Sequence, residues 1–193
     1  MRLLALFFTF FICSLQLQAQ GIQVGFRTGL NVANVTDLNA EARFGISAGV
    51  VGKLPLTDKI FIQPELNYDQ QGAVEKGSFL GEDFQVRYKL NYINLPVMFK
   101  YYVEGGFFLQ AGPQLGYLIK NDMNIEGESS GISFDLDDTK KFDFSLGLGA
   151  GYQYGNYFVD ARYKFGLVNV YEIDNSEDNF QNRVFQLSFG VYM

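Results

Sequence analysis

The chain contains no histidine and no tryptophan, and its single cysteine, Cys13, falls in an N-terminal segment with the anatomy of a removable signal. Each absence closes off a chemistry. Without histidine there is no imidazole base, no serine–histidine arrangement and no histidine-held metal. Without a mature cysteine there are no disulfides, thiol nucleophiles or zinc fingers. Positive charge is also in deficit: 15 lysines and arginines face 21 acidic residues, for a net charge of −6, or −7 once Arg2 leaves with the signal. Such a balance lacks the basic footprint that nucleic acid requires. The only long apolar run is Leu3 to Leu15, shorter than the roughly 20 residues of a membrane-spanning helix.

That run follows Met1 and Arg2 and precedes polar Gln16 to Gln20, with small Ala19. Residues 1–19 therefore read as a secretory signal peptide cleaved after Ala19, and residues 20–193 as one mature domain. Cys13 does not suit lipidation, because Phe10, Phe11 and Ile12 precede it where a small residue is wanted. Export without disulfides fits a bacterial envelope protein.

What the mature chain has in quantity is alternation. In Lys141 to Tyr154 one face carries Phe142, Phe144, Leu146, Leu148, Ala150, Tyr152 and Tyr154; the other carries Asp143, Ser145, Gly147, Gly149, Gly151 and Gln153. Period two means a strand. The apolar face is also sorted, with aromatics at both ends and aliphatics between, as a bilayer with two interfaces demands. Seven further segments share the pattern: 23–33, 43–54, 59–71, 86–102, 107–119, 157–168 and 183–193. The adjacent apolar pair Tyr92 and Ile93 breaks the phase, which predicts a β-bulge in the fourth strand. Connections alternate in length. Short turns fall at Pro55–Asp58, Val103–Gly106 and Gly155–Asn156, and long ones at 34–42, 72–85, 120–140 and 169–182. The expected fold is all-β: an eight-stranded antiparallel up-and-down transmembrane β-barrel in the outer membrane, with the long loops outside the cell and both termini at the other end.

Alternation alone does not say which face is wet. In a soluble lipocalin-like barrel the apolar face would line a ligand cavity. The sorted aromatics, the bare glycines and the loop asymmetry favour the membrane arrangement. The lumen then holds Arg27, Glu65, Asp69, Lys100, Asp143, Asp160, Arg162 and Lys164, which must pair with one another.

The stretches GLNVANV (29–35), PELNYDQQG (64–72), YINLPVMFKYY (92–102) and GPQLGYLI (112–119) resemble the small outer-membrane barrels of Bacteroidota, the PorT family or outer membrane protein beta-barrel domain proteins. More broadly the chain is similar to OmpA- and OmpX-like barrels. The resemblance covers the mature chain and implies fold and location. It implies little about activity, beyond a link to protein secretion through the name-giving member. One departure is the C-terminus, which ends in Met193 rather than an aromatic residue.

Several functions compete. A lumen enzyme would have to work with carboxylates such as Glu65 and Asp69, whose plainer role is a structural ion-pair ladder with Arg27, Arg162 or Lys164. A small transport channel meets the difficulty that eight strands enclose little more than their own side chains. The acidic long loops, including Asp135 to Asp138 and Asp174 to Asn179, have oxygen ligands but no EF-hand spacing, and read as solvated loops. Ile132, Phe134 and Leu136 alternate with Ser133 and Asp135, which suggests a hairpin above the membrane with an edge for another protein. The expectation is a monomeric, non-enzymatic barrel with no cofactor and no metal. Its partners are outer-membrane lipid and an envelope protein met through the long loops.

Overall fold

The structure, a computed structural model, describes residues 21–36, 41–79, 82–127, 131–135, 141–169 and 181–193; of 76–79, 82–84, 123–127, 131–135 and 169 it describes the backbone only. Every regular element among them is a strand. These are β1 (Gln23–Val35), β2 (Glu41–Pro55), β3 (Ile60–Phe79), β4 (Glu82–Tyr102), β5 (Phe107–Gly127), β6 (Gly131–Asp135), β7 (Phe142–Tyr154), β8 (Tyr157–Asn169) and β9 (Gln181–Tyr192). Eight of them close a ring of antiparallel neighbours: β1 pairs with both β2 and β9, and β4 with β5. The expected eight-stranded barrel is the observed fold. The ninth strand, β6, pairs with β5 beyond the ring.

Period-two sequences produce this ring because each strand has one face for each environment. The apolar face points outward and stays uncovered. Leu30, Leu66, Leu95, Leu109, Leu148 and Leu187 are all between 46% and 60% exposed. This excludes the lipocalin-like alternative, whose apolar face would be inside. Aromatic residues flank the aliphatic band, with Phe44, Tyr117 and Phe142 toward the long-loop end and Tyr101, Tyr154 and Tyr157 toward the short-turn end. The short turns are two to four residues long. Gly105, Gly106 and Gly155 turn the chain at φ of 59°, 89° and 57°, where a side chain would be strained.

Two stretches expected as loops are paired strand instead. Residues 72–79 continue β3 and residues 82–85 lengthen β4 beyond its expected start at Val86, in register from Gly72 opposite Lys89 to Phe79 opposite Glu82. Residues 120–127 continue β5 between β4 and β6. Together they form a four-stranded sheet standing on the barrel, in the order β3-β4-β5-β6. It escaped the sequence reading because, away from lipid, neither face needs a continuous apolar row. The hairpin expected around Ile132 and Phe134 exists as β6 against β5. Leu136 lies outside the described residues. The bulge sits at the expected height but on the other strand: Asn91 pairs with Lys120 and Tyr92 with Leu118, so Ile119 of β5 is the extra residue. β4 itself keeps its phase, with Leu90, Tyr92 and Asn94 all buried inside. The apparent slip arose because the lumen is apolar at this height.

Candidate functional site

Facing the axis, the strands place the eight charged residues Arg27, Glu65, Asp69, Lys100, Asp143, Asp160, Arg162 and Lys164 at 6% exposure or less. Four are cations and four are acids, and seven of them lie in the middle or upper lumen. Glu65 is the centre. It accepts from Arg27 Nη1, from both Arg162 Nη groups at 2.9 and 3.1 Å, from Gln63 at 2.6 Å and from Asn67 at 2.8 Å. Arg27 Nη2 donates on to Asp160 at 3.2 Å and to Ser188 at 2.6 Å. A second carboxylate, Asp69, accepts from Lys164 at 3.1 Å, Asn94 at 2.5 Å and Gln186 at 3.2 Å. A buried carboxylate is tolerable only when its oxygens are saturated in this way.

Toward the long-loop end the network gives way to an apolar layer of Leu90, Tyr92 and Leu118. Asp143 and Asn182 lie beside it, and Asn182 donates to the Tyr92 hydroxyl at 3.4 Å. Toward the short-turn end the lumen is filled by Val51, Phe108, Phe158 and Tyr192. The rings find room over glycines. Phe108 is paired across the strands with Gly151 and Phe158 with Gly190, and a Cβ on either glycine would collide with the facing ring.

Among the described residues Lys100 has no carboxylate partner within ion-pair distance. Its ammonium lies 4.0 Å from the Phe108 ring centre and 4.7 Å from that of Phe158, and donates to the Tyr192 hydroxyl at 3.3 Å. Lys53 repeats the arrangement nearer the turns, over Phe61 at 4.3 Å and Tyr102 at 4.6 Å, and donates to Gln153 at 2.9 Å. These contacts are cation–π interactions, strengthened where water is excluded.

The structure thus brings Arg27, Glu65, Asp160 and Arg162 into one network and Asp69 with Lys164 into an adjoining one. Asp143 makes no ion pair among the described residues, and Lys100 reaches the first network only through the Tyr192 hydroxyl, which donates to Gln63, which in turn donates to Glu65. The sequence reading overlooked Phe108, Phe158 and the cages around Lys53 and Lys100. Their signal was there in the strand phase, since 108 and 158 share parity with lumen residues 110 and 160. Among the described residues no group of three or more potential metal ligands converges. Asp137, Asp138, Glu172, Asp174, Glu177 and Asp178 lie outside the described residues.

Residues 16–172 match the family described as "Outer membrane protein beta-barrel domain". This chain belongs to that family. Membership makes it an integral outer-membrane barrel, which accords with a polar, closed lumen inside an apolar belt. No curated protein matches it. Solved structures similar to it include Neisserial surface protein A (15% identity, covering 90% of this chain and 96% of that one, TM-score 0.49). They also include Ail, the attachment invasion locus protein of Yersinia pestis (12%, 89% and 97%, TM-score 0.47), and the N-terminal β-barrel domain of Pseudomonas aeruginosa OprF (13%, 88% and 97%, TM-score 0.41).

Proposed function

We propose that this outer-membrane barrel is a non-enzymatic surface-interaction protein or an accessory part of an envelope assembly, secretion included. It acts through the sheet at its long-loop end. The observation that carries this reading is the contrast in how backbone groups are used. Inside the barrel every strand has two neighbours. Above it, β6 is paired on one side only among the described residues, and β3 beyond Val74 likewise. Open edges accept a further strand by main-chain hydrogen bonds. The filled lumen supports the non-channel role, and the saturation of Glu65 and Asp69 supports the non-catalytic one.

In this reading residues 1–19 are cleaved, the long loops and their sheet are extracellular, the barrel is monomeric in lipid, and its partner is another envelope protein. The resemblance to PorT-family barrels of Bacteroidota belongs to the same proposal. The test uses intact cells making the full-length chain. Added protease should cut the segments beyond the ring and leave the barrel in the outer-membrane fraction. A photo-crosslinker at Ser133 should trap a discrete adduct. Protection from protease would refute the orientation. A cross-linker silent at Ser133 would remove the interaction role. Steady single-channel conductance from the purified protein would favour the small transport channel instead.

A further inference from the structure

Just beyond the apolar belt, on the outer face of β2, β3 and β4, lies a cavity of about 470 Å³ lined by Glu41, Arg43, Phe44, Val74, Arg87 and Lys89 among others. We propose that it binds the phosphate of a lipid headgroup. Arg87 and Lys89 follow the outward phase of β4, in line with the lipid-facing Leu95, Val97 and Phe99 below them. Phe44, 78% exposed, is the outward aromatic of β2 nearest the long-loop end, and it forms part of the cavity wall. The cations therefore begin where the apolar belt ends, at the height of headgroups.

Among the described residues that line the cavity three are cations and one, Glu41, is an acid, in a chain whose net charge is −6. Arg43 donates to the backbone carbonyl of Gln71, which holds it half-buried, and the charge of Arg87 acts on it. Guanidinium forks suit the tetrahedral oxygens of phosphate. Phe44 and Val74 give the same cavity an apolar wall, which a lipid can use and free phosphate cannot. The inference rests on the long-loop rim lying at a membrane interface, not on which side of the membrane it faces.

The test takes full-length protein folded in zwitterionic detergent, its fold verified by the mobility of unboiled protein on a gel. It is titrated calorimetrically with dihexanoyl phosphatidic acid, dihexanoyl phosphatidylcholine and inorganic phosphate. Phosphatidic acid should bind about tenfold or more tighter than phosphatidylcholine, and the double variant Arg87→Gln, Lys89→Gln should lose that preference. Glu41→Gln, which removes the one acid among the described lining residues, should tighten phosphatidic acid binding. Equal binding of the two lipids, or an unchanged double variant, overturns the proposal. Inorganic phosphate binding as tightly as phosphatidic acid overturns the lipid assignment in favour of a free anion. Should the double variant fail to fold, Glu41→Gln decides: an unchanged or weaker affinity refutes the site. Because the experiment uses detergent, it does not depend on the orientation that protease treatment of cells examines.

Discussion

The middle of the lumen and its short-turn end bury cations in opposite ways. In the middle, Arg162 and Arg27 are neutralised by Glu65 and Asp160, with side-chain ion pairs at 1% exposure or less. At the short-turn end, Lys100 is enclosed by the faces of Phe108 and Phe158 and a tyrosine hydroxyl. Residue type follows from this difference. A planar fork serves several carboxylate oxygens at once, whereas a compact ammonium fits against rings. The difference also sets what each region loses when one member goes. A paired network left with one charge has an uncompensated ion in low dielectric, while an aromatic cage that loses its lysine keeps apolar walls and a Tyr192 hydroxyl still bonded to Gln63.

The largest effect should come from breaking the network at its centre. Glu65→Gln leaves Arg27 and Arg162 short of countercharge and should cost roughly 3–5 kcal/mol. The readout is the urea midpoint of the protein refolded in lipid vesicles, followed by the mobility shift of unboiled samples, since the chain has no tryptophan to report by fluorescence. A midpoint within experimental error of the parent would show the network to be a solvated one.

Next comes packing at the other end. Gly190→Ala puts a methyl group into the Phe158 ring and should cost about 1–3 kcal/mol by overpacking, with the same assay. Pairing it with Phe158→Leu should recover part of the loss, and an additive double variant would argue against the ring–glycine contact.

The sharpest contrast is between two cation removals. Arg162→Met should destabilise as Glu65→Gln does. Lys100→Met should lie within about 1 kcal/mol of the parent or above it, since what it forfeits is a cation–π contribution of about that size and a buried charge. Equal losses would mean that Lys100 also depends on the acids of the network.

The smallest effect belongs to the sheet outside the ring. A short serine–glycine insertion between Phe79 and Glu82 should leave the barrel's urea midpoint unchanged within about 0.5 kcal/mol, because the last pair of β3 and β4, Phe79 with Glu82, lies beyond the ring. A loss as large as that of Gly190→Ala would make the sheet part of the barrel's cooperative unit.

How far the sequence could be read varies by place. Phe142 to Tyr154 announced its strand, its two faces and its membrane height, because lipid on one side and a narrow lumen on the other constrain every residue. Residues 72–85 were misread as a loop because, beyond lipid, strand formation there depends on a neighbouring strand rather than on any pattern within the segment. The bulge was placed on β4 rather than at Ile119 because Leu90 and Tyr92 look out of phase only if the lumen is assumed polar throughout. The charges of the candidate site were recognisable singly, but their partners were not.

By itself the sequence determined an outer-membrane barrel of eight strands, its apolar outside and the set of charges facing its axis. Period-two patterning is local, and each strand carries it independently of its neighbours. Only the tertiary structure decided that Glu65 meets both Arg27 and Arg162, that Lys100 lies among aromatic rings, and that three strands continue upward as an open-edged sheet. Those facts depend on which strands become neighbours and in what register when the ring closes, and no single strand contains that information.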